Sequence, residues 1–146
     1  MIEYIIDSNK TLALIIRNSF QKDGIHFFTP NDFSQQLASI HHQKGKIIPA
    51  HIHNPVERNV VITQEVLFIK KGVLRVDMYT ESQQYIESRI LYAGDVMLFA
   101  AGGHGFEVIE EVQMIEVKQG PYTGELDKTR FNSVAASHIT IKETCI

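Results

Sequence analysis

The sequence predicts an all-β protein, and three observations carry that expectation. Short runs rich in β-branched and aromatic residues recur along the whole chain. Turn formers punctuate them at regular spacing: Asp23-Gly24, Lys44-Gly45, Lys70-Lys71-Gly72, Ala93-Gly94-Asp95 and Gly120-Pro121. Few stretches carry a helical period. Many short strands with few helices argue for an antiparallel sandwich or barrel.

Taken in order, TLALIIRNSF and GIHFFT read as strands around the Asp23-Gly24 turn. The segment from Phe33 to Gln43 carries both periods. Asp32 could cap a helix bearing Phe33, Leu37 and Ile40, but the turn at Lys44-Gly45 favours a strand. Lys46 to His53 is expected to be extended until Asn54-Pro55 ends it. Glu65 to Ile69 is nearly all apolar, and Lys70-Lys71-Gly72 is expected to turn it. Val73 to Tyr79 alternates, with Leu74, Val76 and Met78 on one face and Arg75 and Asp77 on the other. Tyr85 to Leu91, Val96 to Phe99, His104 to Ile109 and Val112 to Lys118 complete the strands. Near the end, His138 to Ile141 offers an edge strand for this chain or for a partner.

At 146 residues the chain is long enough for one domain with a substantial core. Its net charge is −3, and no basic run offers a nucleic-acid face. Glu3, Asp7, Lys10 and Arg17 interrupt the apolar N-terminal runs, so neither a signal peptide nor a membrane span is expected. The single cysteine, Cys145, has no internal partner, which makes the cytoplasm the default compartment.

The chemistry concentrates in two stretches, Gly45 to Gly72 and Gly94 to Glu107. On a strand, residues i and i+2 share a face, so His51 and His53 would point the same way and could chelate a metal without strain. A carboxylate from a neighbouring strand and a third histidine would complete a partly open site of mixed N and O donors. Such sites suit catalysis better than closed structural roles.

The spacing resembles the cupin superfamily. Its first motif runs Gly, five residues, His-X-His, a gap, Glu, six residues, Gly. Here Gly45 is followed by five residues and His51-Ile52-His53, and Glu65 by six residues and Gly72. Only the middle gap departs, with eleven residues where the family has a short loop. The second motif is degenerate. Gly94 leads to Ala100 in a proline position and Gly102 follows, but His104 comes one position early and Val108 replaces an asparagine. The match spans residues 37–119. It implies a single cupin domain over residues 1–146, a double-stranded β-helix (jelly-roll) barrel, and a homodimer. It also implies one divalent transition metal ion (Fe, Mn, Ni or Zn) held by His51, His53, Glu65 and His104.

Glu57 competes for the carboxylate role, because it lies four positions after His53. The residue seven after it is Gln64 rather than glycine, and it sits in a polar stretch. Glu65 opens an apolar strand that ends in a glycine, so it is the expected ligand. The longer loop then places Glu57 and Arg58 as candidate substrate contacts. His26, His41, His42 and His138 read as surface or hydrogen-bonded residues.

Three functions follow, in decreasing weight. The first is a metal-dependent enzyme acting on a small polar molecule, of oxygenase, isomerase or hydrolase type. The second is a binding or sensor cupin without turnover. The third is a sugar-nucleotide isomerase or epimerase that uses histidine as acid and base. The ending QGPYTGELDKTRF, Gln119 to Phe131, also resembles small cupins associated with bacterial surface-polysaccharide pathways.

Overall fold

A computed structural model of the chain describes residues 1–143. Cys145 and its expected role therefore lie outside the described residues. The structure is nearly all β, as the sequence predicts. The chain forms two compact units: Met1–Phe20 with Thr63–Ile146, and Gln21–Ile62.

The larger unit holds six strands: β1 (Ile2–Asp7), β2 (Lys10–Ile16), then β5 (Glu65–Tyr79), β6 (Tyr85–Tyr92), β7 (Val96–Phe99) and β8 (Gly103–Lys118). The smaller unit holds β3 (Gly24–Phe27) and β4 (Ala38–His41), paired antiparallel. The strand favoured within Phe33–Gln43 is thus present but short. Lys46 to His53 differs from expectation, because no strand forms there. Pro49 removes a backbone donor from the middle of the segment, and Ile47, Ile48 and Ile52 are exposed.

In the larger unit the strand order is β1-β2-β7-β5-β6, with β8 on the other side of β5. Every pairing between these strands is antiparallel. The sheet curls strongly into a half-barrel.

β5 is the axis of the curl. Glu65 to Phe68 pair with β7, and Val73 to Tyr79 pair with β6. β8 runs along both halves. The expected turn at Lys70-Lys71-Gly72 is therefore a bend inside one long strand, and the two expected C-terminal strands merge into β8 for the same reason. The ladder shifts register between Ile69 and Leu74. Gly72 sits there at φ +86°, where the Glu111 carbonyl occupies the space a Cβ would need. Ile69 donates to the Asp95 carbonyl at 3.0 Å and accepts from Gly94 at 2.7 Å, which ties the bend to the β6–β7 turn.

The alternation read from the sequence sets the core. Leu74, Val76 and Met78 are fully buried, and they pack with Ile5, Leu12, Ile15, Leu67, Ile69, Leu91, Met97 and Phe99 on the inner face. Arg75 and Asp77 lie on the opposite face, where Arg75 Nε donates to Asp77 at 2.8 Å. That face is not open solvent, since Asp77 is only 4% exposed and also accepts from Ser88.

An ion-pair network joins the two ends of the five-strand path. Arg89 on β6 donates to Glu3 on β1 at 2.5 Å and pairs with Glu87 at 2.6 Å. Arg17 pairs with Glu3, reaches Asp95 at 2.8 Å, and donates to the Ile90 carbonyl at 2.7 Å. Lys142 from the C-terminal tail pairs with Glu87 at 2.5 Å.

The tail covers the free edge of β6. Ser88 donates to Thr140 at 2.9 Å, Lys142 donates back to Ser88 at 3.0 Å, and Ile141 forms a parallel bridge with Ser88. The edge role read for His138 to Ile141 is met within this chain over that single bridge. Among the described residues no helix is long and apolar enough to cross a membrane.

Candidate functional site

Glu65 opens β5, where its neighbours across the ladders are Phe99 on β7 and Lys118 on β8. Paired residues in an antiparallel sheet share a face, so Glu65 faces inward with Leu67. His104 lies opposite Met78, near the other end of β5, and faces inward for the same reason.

Met78 lies thirteen positions after Glu65. On a straight strand that is about 43 Å. The curl brings His104 Nε2 to 3.2 Å from Glu65 Oε2 instead. The bend at Gly72 is thus what assembles the pair, and the side chains of Glu65 and His104 are 13% and 26% exposed.

Aromatic rings frame the pair. The His104 imidazole stacks on Phe99, with centroids 4.2 Å apart and an interplanar angle of 28°. Phe106 lies 5.2 Å from His104 and 5.8 Å from Phe99. Phe99 is buried, whereas Phe106 is 43% exposed and forms an open apolar wall. On the far side, Lys118 Nζ stands 3.6 Å from Glu65 Oε1 and 3.7 Å from Glu116.

The Glu65 carboxyl is held below the ordinary carboxylate value. The hydrogen bond from His104 is the largest cause, burial opposes it, and the charges of His104, Lys118 and Lys128 add to it. Glu65 is therefore an anion at neutral pH.

The motif from Gln119 to Phe131 borders the site. Gln119 Oε1 accepts from the Gln64 backbone at 2.5 Å, just before Glu65. Thr63 donates to Asp127 at 2.6 Å. Phe131 packs edge-on against Tyr79 at 5.0 Å and fills the space beside Gly103, next to His104.

His51 and His53 belong to the smaller unit, on its irregular segment, and are exposed. Their rings lie edge to face at 5.2 Å, and His51 Nδ1 is 3.1 Å from the Pro49 carbonyl oxygen. Glu57 and Arg58 share that segment and are exposed; Arg58 donates to the Val56 carbonyl at 3.3 Å. His41 pairs with Asp23 at 2.9 Å, and His26 contacts the Asp23 carbonyl at 2.7 Å, in line with the hydrogen-bonded roles read for them.

The structure thus brings together two of the four expected ligands, Glu65 and His104. Among the described residues no group of three or more His, Cys, Asp or Glu side chains gathers as a metal cluster. The pair itself suits a shared cation. Two ligands at about 2.0–2.1 Å from one ion, at tetrahedral or right angles, stand about 2.8–3.4 Å apart. The observed 3.2 Å separation falls within that span, and it equally suits the direct hydrogen bond between the two groups.

Phe99, Phe106 and Lys118 were not among the residues read from the sequence. Phe106 carried a signal, because it lies two residues after His104 on the same strand. Phe99 and Lys118 are neighbours only through β-ladder register, which spacing along the chain does not reveal. No family model matches the chain, and neither a curated protein nor a solved structure does.

Proposed function

We propose that this chain is a metal-dependent cupin that acts on a small polar molecule, with His51, His53, Glu65 and His104 as ligands of one divalent transition ion. The observation that carries the reading is the Glu65–His104 contact at 3.2 Å. These two residues were selected from motif spacing and strand placement in the sequence, and they meet on the inner face of a curled antiparallel sheet. A jelly-roll barrel and a homodimer belong to the same reading.

When bound, iron would supply dioxygen chemistry, and manganese, nickel or zinc would supply Lewis-acid polarisation of a carbonyl. The protein's own contribution is positional and electrostatic. Phe99 fixes the plane of the His104 ring by stacking. Glu65 stays ionised, available as a ligand or as a proton acceptor. Phe99 and the buried core behind it keep one side of the pair dry, which strengthens the charge interaction there.

A second reading draws on the same contact. A histidine hydrogen-bonded to a carboxylate is also an acid–base pair, and a metal-free isomerase of sugar nucleotides would use it in that way.

Elemental analysis separates the two. Protein purified without a metal-affinity tag should hold near one equivalent of metal, and His104→Ala should lose it. Iron would direct the next assays to oxygen consumption, and zinc, manganese or nickel to isomerase and hydrolase panels. No metal in either protein, even after reconstitution, overturns the metal-dependent reading and leaves the acid–base pair.

A further inference from the structure

The motif from Gln119 to Phe131 and the lysine just before it have no role in metal binding, yet they border Glu65. Lys118 is the cross-strand neighbour of Glu65, and its side chain is 24% exposed. Its two ion pairs, at 3.6 and 3.7 Å, are both longer than a direct hydrogen bond. Lysines paired for structure elsewhere in the chain sit closer, as Lys142 does at 2.5 Å from Glu87.

Two carboxylates, Glu65 and Glu116, therefore flank one ammonium group, Lys118. A divalent ion shared by Glu65 and His104 would leave this cluster with one net positive charge. It would also occupy the carboxylate that Lys118 now faces. Beside His104 stands the exposed ring of Phe106, with the buried Phe99 next to it. A positive charge and an aromatic wall bordering one pair select a ligand with an anionic head and a flat or apolar body.

We infer that Lys118 is the substrate-anchoring residue of the Glu65–His104 site, and that the site takes a small organic carboxylate whose body lies against Phe106. This rests on the metal-dependent reading above. Lys118 anchors and does not react. Its ammonium meets the carboxylate, and Phe106 supplies the apolar contact.

The test uses the full-length, metal-loaded protein with benzoate and its neutral isostere benzamide, titrated calorimetrically, with metal content measured on every sample. Benzoate should bind, more weakly as salt is raised, and about tenfold more tightly than benzamide. Lys118→Met should remove most of that difference and leave benzamide and the metal content unchanged, and Lys118→Arg should restore it. A purely structural lysine would shift thermal stability and leave the benzoate-to-benzamide ratio as in the wild type. Equal binding of the two probes, binding of neither, or wild-type discrimination in Lys118→Met overturns the inference. Metal content reads the underlying proposal separately. Wild-type protein that takes up no metal defeats that proposal whatever the titrations give.

Discussion

Two polar clusters occupy the larger unit, and they are built differently. In the first, Glu3, Glu87 and Asp95 face Arg17, Arg89 and Lys142. The charges balance one for one, and every pair is closed to direct contact. Glu3, Glu87, Arg89 and Asp95 are buried. In the second, Glu65 and His104 meet at 3.2 Å, Lys118 stands off at 3.6 Å, and an exposed phenylalanine forms one wall. The first cluster uses all its charge on itself and joins β1 to β6. The second keeps donors, acceptors and an apolar surface open to a ligand. Completeness of pairing separates a structural network from a site here, and the difference makes distinct predictions for each.

The largest effect is expected in the closed network. Arg89→Ala would leave buried Glu3 with Arg17 alone and buried Glu87 with Lys142 alone, and the end strands would lose the direct ion pair between them. Unfolding by urea should show a loss of about 3–5 kcal/mol, as for other broken buried pairs. A loss under about 1 kcal/mol would mean that the clasp is ornamental and that core packing alone maintains the curl.

The open cluster should behave oppositely. Glu65→Gln keeps the shape and removes the charge. Because its partners are loose or partly exposed, unfolding should change by less than about 1 kcal/mol. Metal content in the same preparation should fall to background. A mutant that keeps its metal would remove Glu65 from the ligand set, and one that unfolds would place the cluster with the structural networks.

The sequence made the strands and their faces legible where a period of two ran unbroken. Leu74, Val76 and Met78 were assigned to one face by alternation alone, and Glu65 was preferred to Glu57 because it opened an apolar strand. Two things were hidden. The run Lys70-Lys71-Gly72 reads as a turn, yet β8 pairs along both sides of it, and only the partner strand distinguishes a bend from a hairpin. The neighbours of Glu65 were hidden as well, because Phe99 and Lys118 reach it through register. The four-ligand set was legible as spacing. The Glu65–His104 half of it is drawn together here, while His51 and His53 sit on a segment whose prolines suppress the strand that spacing implied.

The finest distinction between the clusters lies in their response to acid. Glu65 is held below the ordinary carboxylate value of 4.5, chiefly by the hydrogen bond from His104. A carboxylate whose folded value is depressed stabilises the fold above its unfolded value, and that contribution disappears as pH falls through the folded one. In metal-free protein, the difference in unfolding free energy between wild type and His104→Ala should therefore be largest above pH 4.5. It should shrink as the pH is lowered beyond that point. The expected amplitude is small, under about 1 kcal/mol, because His104 and Lys118 are partly exposed. Urea titrations of both proteins at several acidic pH values would measure it. A difference that stays constant with pH would assign the His104 contribution to its stacking on Phe99, and the open cluster would then owe its geometry to aromatic packing, with the ion pair a consequence.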